Sequence, residues 1–588
     1  GIGEGGRPVK QGTRGQSFLY GALLLTGGMA AVKVLGALFK IPLQGIIGAY
    51  GMGLFHTAYH YLGPVFTLAT AGFPVAVSRL VSEQAALGRW EQVRRARKTA
   101  MPLFLALGAG GVGLLGLAAP WYCRKVLGDP LAGAPVAALA PAVLLGTVGA
   151  VYRSYWEGLR NMAPTALSQI LEAVVRLGAG LLGAWAAMAW GRWEWAARGT
   201  VLGGDPGPEG LPLALAALGA AGAMAGVTAG CGASALYLWA KSRRGDGLPL
   251  GAGRDTPSGP VGRKLLSILL PVGAGSLAGN AAGLLEASLL PRRLAAAWEA
   301  SPQAILSLCG GSLPQEALSQ PQALPTFLYG CCAMALTLSL LVPAVAQAFG
   351  ASALPAVTQA WARGRGEELR HRMGAVLHGA ALFSFPLGLG LTALGEPLAQ
   401  ALYGEGPGGR LAGAALTVLG AASLPTALCG PLSSMLQGVG RADLPPKFLA
   451  LAMGVKLGAE WLLCALPQVH LLGLGLASFL AYGLLAAALL GALCRETGAR
   501  LALWPLLGKP LLCALLCAGA AWGCFRGICG LVPWQGLGKA LSLGASVGAG
   551  GCVYVLSLLF LRSVSKNELF MLPKGQKIAK MLEKRGWI

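Results

Sequence analysis

Residues 152–178 read YRSYWEGLRNMAPTALSQILEAVVRLG. This stretch sets Arg153, Glu157, Glu172 and Arg176 in or beside strongly apolar helices. A weaker echo lies 280 residues later, where Ser154, Gly158, Val175, Arg176, Leu177, Gly178 and Ala179 are matched by Ser434, Gly438, Val455, Lys456, Leu457, Gly458 and Ala459. Gln437 stands opposite Glu157. A repeat that keeps an intramembrane cation in step across two halves points to the core of a transporter.

The composition agrees. The chain has 588 residues, 55% of them hydrophobic and only 12% charged, with a mean hydropathy of +0.62. Soluble domains carry about 25% charged residues, and a core this apolar would leave too little polar surface to cover it. Gly is abundant at 91 residues, as expected where helices pack in lipid through small side chains. Strand signals are weak, and apolar runs near 20 residues favour helices over a barrel. The expected class is an all-α integral membrane protein.

The net charge of +23 would raise the question of nucleic acid in a soluble protein. Here the basic residues sit in short loops between apolar runs, so they report orientation and no nucleic-acid partner is expected. Fourteen spans are expected, beginning with 17–43 and 52–80 and ending with 503–525 and 538–562. With the N-terminus inside, the loops on that side hold 32 Lys and Arg residues and the outer loops hold 8. Both termini are then cytoplasmic. The expected units are a cytoplasmic tail at 1–16, an N-lobe at 17–244, a Gly/Pro-rich linker at 245–262 and a C-lobe at 263–494. Helices 13 and 14 follow at 495–562, and then a basic amphipathic tail at 563–588 that suits anionic membrane lipid. The two six-helix lobes form a pseudo-twofold repeat about an axis along the membrane normal.

An ionisable group at membrane depth costs a few kcal/mol, so it faces a cavity or a partner. The cations expected to line a cavity are Lys33, Arg176 and Lys456, with Arg79, Arg292 and Arg293 nearer the interfaces, where they also have the reach to snorkel. Lys40, near the outer end of the first span, has the same reach. Glu172 with Arg176, and Lys456 with Glu460, are spaced i,i+4 and can pair on one helix face. Glu286 has two readings, a pair with Lys33 across the lobes or a proton or Na⁺ site. Glu157 is a further acidic candidate. His56 and His60 form an HxxxH with no third ligand nearby, which reads as helix packing rather than a metal site. The thirteen cysteines are scattered with no CxxC pair. No nucleotide-binding GxxxxGK[ST], HExxH or GxSxG is present, so no enzyme activity and no cofactor are expected.

Several segments resemble the stage V sporulation protein B branch of the polysaccharide-biosynthesis exporters, in the superfamily that also holds the multidrug (MATE) transporters and the MurJ-type lipid II flippases. Gly51-Met52-Gly53-Leu54-Phe55 is similar to that family's GxGLY turn. The run Gly72 to Glu83, GFPVAVSRLVSE, resembles its GxPxAxSKLVxE segment. Arg153 to Arg176 resembles its RxYxQGxxNMxPxAxSQxxExxxR run, and Leu290-Pro291-Arg292-Arg293-Leu294 the segment closing helix 7. Glu157 departs from the usual Gln, and His60 falls where the family often has Pro. The resemblance implies two lobes around a central cavity, working as a monomer that rocks between inward- and outward-open states. It implies transport of an undecaprenyl-pyrophosphate-linked oligosaccharide or lipid II, driven by H⁺, Na⁺ or the membrane potential. The rivals are a MATE-type multidrug or cation antiporter and an integral-membrane glycan polymerase or ligase. The two-lobe repeat and the lack of a large outer catalytic loop weigh against the last.

The loop charges give one direct test. A cysteine introduced as Arg365→Cys should resist an impermeant thiol reagent in intact cells, and labelling there would reverse the orientation.

Overall fold

The computed structural model describes residues 18–67, 73–159, 161–201, 203–244, 261–309, 311, 313–318, 320, 323–529, 537–561 and 563. The expected tail at 1–16 lies outside these residues, as do all but the ends of the linker 245–262 and of the tail 563–588. Among the described residues the chain is helical, with a single isolated bridge between Val201 and Gly204.

The N-terminal group comprises α1 (Phe18–Thr67), α2 (Phe73–Ala86), α3 (Trp90–Trp121), α4 (Gly133–Gly158), α5 (Ala163–Arg198) and α6 (Gly207–Arg243). Next come α7 (Val261–Ala300) and two short pieces, α8 (Pro302–Cys309) and α9 (Gln315–Leu318). The C-terminal group holds α10 (Ala323–Ser339), α11 (Leu341–Ala362), α12 (Gly366–Tyr403), α13 (Pro407–Gly438), α14 (Leu444–Leu463) and α15 (Leu472–Thr497). The chain closes with α16 (Lys509–Cys529) and α17 (Leu537–Phe560).

α1 is not one rod. Gly48 has φ 70°, a left-handed value that glycine adopts without a side-chain clash, and the chain doubles back there. Phe39 and Phe55, 16 residues apart, have ring centroids 6.0 Å from each other; in a straight helix they would be about 24 Å apart. The expected span 17–43 and the first part of 52–80 thus share one hydrogen-bonded element with a turn at Gly48, and the last part of 52–80 falls in α2. We call the end of the bundle that holds this turn the distal end.

Eleven described helices are long and apolar enough to cross a membrane, against fourteen expected. Two places explain part of the difference. The doubled α1 contributes a single span, Ala31–Thr67, and α14 carries three charges, Lys447, Lys456 and Glu460. Leu117 and Phe560 are 85% and 88% exposed; lipid removes the cost that water would impose on such side chains.

The opening stretch forms the turn from α4 into α5. Pro164 sits in the first turn of α5, where its missing N–H has no helical partner to lose. Its echo forms the corresponding turn from α13 into α14, again with Pro in the first turn. α5 lies along α6, α4 packs on α6, and α1 touches all three. In the C-terminal group α13 packs on α11, α12 and α15, while α16 pairs with α17 and rests on α12. α7 touches α1, α2 and α3 on one side and α10 and α14 on the other. The largest buried apolar cluster crosses the two groups, from Phe39, Leu43 and Leu54 to Leu328, Leu416 and Leu474.

The α5–α6 contact relies on missing side chains. A Cβ on Gly222 would overlap the carbonyl of Gly183, so backbone meets backbone. Gly222→Ala should therefore cost about 1–3 kcal/mol, read as a lower unfolding midpoint in detergent. Gly36→Ala, which meets nothing within 4 Å, should not lower the midpoint.

Candidate functional site

Two clusters of charge flank the second pass of α1. The first lies between α4, α5 and α6. Glu172 and Arg176 are one turn apart on α5, and Arg176 Nη2 donates to Glu172 Oε1 at 2.7 Å. Arg153, from α4, donates to Glu172 Oε2 at 2.5 Å, to Ser168 Oγ at 2.9 Å and to Ser234 Oγ on α6 at 2.5 Å. Cys231 Sγ lies 3.8 Å from Glu172 Oε1. One carboxylate thus serves two guanidiniums, and Arg176 Nε is left buried with no hydrogen-bond partner among the described residues. Glu157, at the end of α4, bonds Thr165 and lies in the field of Arg153.

The second cluster joins α7 to α14. Lys456 Nζ donates to Glu286 Oε2 at 2.5 Å and lies 3.1 Å from Glu460 Oε1. The latter contact is an ion pair one turn apart on α14. Here two carboxylates serve one ammonium. The clusters are therefore opposite in excess, cationic toward the N-terminal group and anionic toward the C-terminal group.

α1 runs between them. Tyr59 lies in the field of Arg176 and Glu172. Its neighbour His60 lies in the field of Glu286, Lys40 and Lys456, and its ring packs where a Cβ on Gly283 of α7 would stand 2.9 Å from Nδ1. Lys40 Nζ is 3.4 Å from His56 Nε2, and Arg176 acts on Lys40 as a like charge. Lys33 is seven residues before Lys40, hence on the same helix face, and is exposed.

The expected i,i+4 pairs Glu172–Arg176 and Lys456–Glu460 are both present. Glu286 pairs with Lys456 rather than with Lys33. The remaining expected cations lie elsewhere. Arg79 is exposed on α2. Arg292 is exposed and donates to the carbonyl of Lys125 at 2.9 Å. Arg293 stacks over Trp461, 3.8 Å from the ring centroid, a cation–π contact that holds it on an aromatic face. His56 and His60 sit with ring centroids 6.3 Å apart, and no group of metal-ligating side chains occurs among the described residues. Lys40 and Asp129 were not singled out as site residues from the sequence. A charged residue 16 positions before a histidine carries no helical signal; only the turn at Gly48 joins them. Asp129 is fully buried at the distal end and accepts from Tyr50 and Thr326.

Residues 18–191 match the family described as polysaccharide biosynthesis protein. Over 95% of its length the chain is 25% identical to stage V sporulation protein B of Bacillus subtilis (strain 168), covering 98% of that protein. It is 30% identical to the lipid II flippase MurJ of the same organism across 27% of this chain and 31% of that one. Its fold superposes on the inward closed conformation of a lipid II flippase MurJ with a TM-score of 0.57, at 11% identity, over 92% of this chain and 99% of that chain.

Glu172 holds the first cluster together. Glu172→Ala should cost about 3 kcal/mol, because it strands two guanidiniums that are only 16% and 21% exposed. Glu91→Ala, which breaks the exposed pair with Arg95, should leave unfolding in detergent unchanged.

Proposed function

We propose that this relative of the polysaccharide-biosynthesis transporters moves a lipid-linked oligosaccharide, or lipid II itself, across a bacterial cytoplasmic membrane by alternating access. The observation that carries the reading is the cationic excess beside α1. Arg153 and Arg176 share Glu172, with Glu157 beside Arg153, and Lys40 adds a further cation in the field of Arg176. Uncompensated cations at membrane depth call for an anion, and a pyrophosphate supplies two or more negative charges with oxygens to fill the open N–H of Arg176. At an effective dielectric near 20, one charge about 4 Å from a cation is worth about 4 kcal/mol, against about 1 in bulk water. Several such contacts together offset part of the cost of taking a phosphate out of water. The sugar then rides with the headgroup while the polyprenyl tail stays in lipid.

The names of the relatives support the same reading. Stage V sporulation protein B matches along nearly the whole chain, and MurJ is a lipid II flippase by name. The chain acts as a transporter and not as a catalyst, with its termini on the cytoplasmic side and Lys456, Glu286 and Glu460 as the site of ion coupling. The anionic excess of that second cluster is also the one feature that favours a MATE-type cation antiporter.

Arg176→Ala should lower exposure of the lipid-linked sugar at the outer leaflet at least about tenfold in cells that depend on this protein, since a charge-assisted hydrogen bond is worth about 1.5–3 kcal/mol. Lys33→Ala and Lys40→Ala should act in the same direction. Full activity in all three variants would defeat the anion-site assignment, and export of organic cations by the wild type without sugar movement would favour the antiporter.

A further inference from the structure

The distal end is closed by a polar layer outside both charge clusters. There α1 and α10 touch through their backbones. A Cβ on Gly53 would overlap the carbonyl of Thr326, and one on Gly330 would overlap the carbonyl of Ala49. Asp129 sits beside this crossing with no exposed surface. Its Oδ1 accepts from the N–H of Leu131 at 3.1 Å. Its Oδ2 accepts from Tyr50 Oη at 2.8 Å and from Thr326 Oγ1 at 2.9 Å. Two of these donors belong to the N-terminal group, whereas Thr326 belongs to α10.

Asp129 lies in the bend between α3 and α4, which makes two more bridges, both to α7. Tyr122 and Ser288 on α7 share a hydrogen bond of 2.9 Å, and Arg292 on α7 reaches the Lys125 carbonyl. The bend is irregular: Tyr122–Leu127 is a π-helical turn and Gly128 has φ 78°. Such turns recur where a helix must move or serve a site. Burial pushes the Asp129 carboxyl above its ordinary value, against the opposing pull of Tyr50, Thr326 and the Leu131 N–H. A buried carboxylate is tolerable only while its donors hold. If α10 swings away, water replaces the hydroxyl of Thr326 and rehydrates the carboxylate, so the contact can break and reform at modest cost.

We propose that Asp129, through Thr326, is the latch that holds the distal end of the bundle shut between transport events. It is a positioning residue, remote from the anion site. The proposal rests on alternating access and is independent of the identity of the cargo.

Amide hydrogen exchange of the full chain in lipid nanodiscs tests it. Thr326→Val keeps the shape of the side chain and removes only the donor that crosses between the groups. Peptides covering 49–58 and 323–334 should exchange at least about tenfold faster than in the wild type, because a hydrogen bond to a charged group is worth a factor of ten or more. Peptides covering 163–198 should be unaffected. Thr326→Ser should restore wild-type exchange. Tyr50→Phe, which breaks a bond within one group, should leave peptides covering 323–334 within about threefold of the wild type. Wild-type exchange at the crossing in Thr326→Val would overturn the latch, as would acceleration spread evenly along the chain or an equal effect of Tyr50→Phe on peptides covering 323–334. Failure of the wild-type chain to move a lipid-linked sugar would instead defeat the proposed function and leave the exchange result standing.

Discussion

The charge held around Glu172 is the constraint on which the rest of the structure depends. One carboxylate at membrane depth serves Arg153 and Arg176, and it needs α4, α5 and α6 brought close enough to share it. Small residues permit that approach. Gly230 on α6 lies where a Cβ would be 2.7 Å from the Glu172 carbonyl, so a larger side chain there would push Ser234 and Cys231 away from the guanidinium and carboxylate they touch. Packing and electrostatics are thus a single requirement in this part of the chain.

Across α1 the balance inverts. Lys456 is held by Glu286 and Glu460, so an excess of carboxylate faces an excess of cation with Tyr59 and His60 between them. Burial of charge in this form is a poor source of stability, since a well-packed apolar core would serve as well or better. Retaining it makes physical sense where the charges meet a cargo or an ion. Glu286 sits on α7, which touches both helical groups, so a change in the charge of this cluster is placed to act on the junction between them.

Much of this was legible in the sequence because it is local. Residues i and i+4 on one helix must be neighbours, so Glu172–Arg176 and Lys456–Glu460 follow from spacing alone. The all-helical membrane class follows from apolar run length, and the turns into α5 and α14 from their early prolines. What was not legible depends on contacts between distant segments. Lys40 meets His56 only because Gly48 reverses the chain. Asp129 meets Thr326 across 197 residues, with no periodicity to announce it. Arg292 and Arg293 had two readings, a cavity role or a reach to the interface, and spacing could not choose between them; a backbone carbonyl and the face of Trp461 hold them. Sequence pattern fixes which face of a helix a residue occupies, and not which neighbour that face will meet.

The central claim is that the cationic side of α1 carries a lipid-linked pyrophosphate sugar. Reconstitution of the purified chain into liposomes holding an undecaprenyl-pyrophosphate oligosaccharide in one leaflet tests it most directly. The sugar should reach the opposite leaflet faster with the wild-type chain than in protein-free liposomes, and Arg176→Ala should remove most of this gain. Equal rates with and without the protein, in liposomes where the same protein exchanges small organic cations, would contradict it.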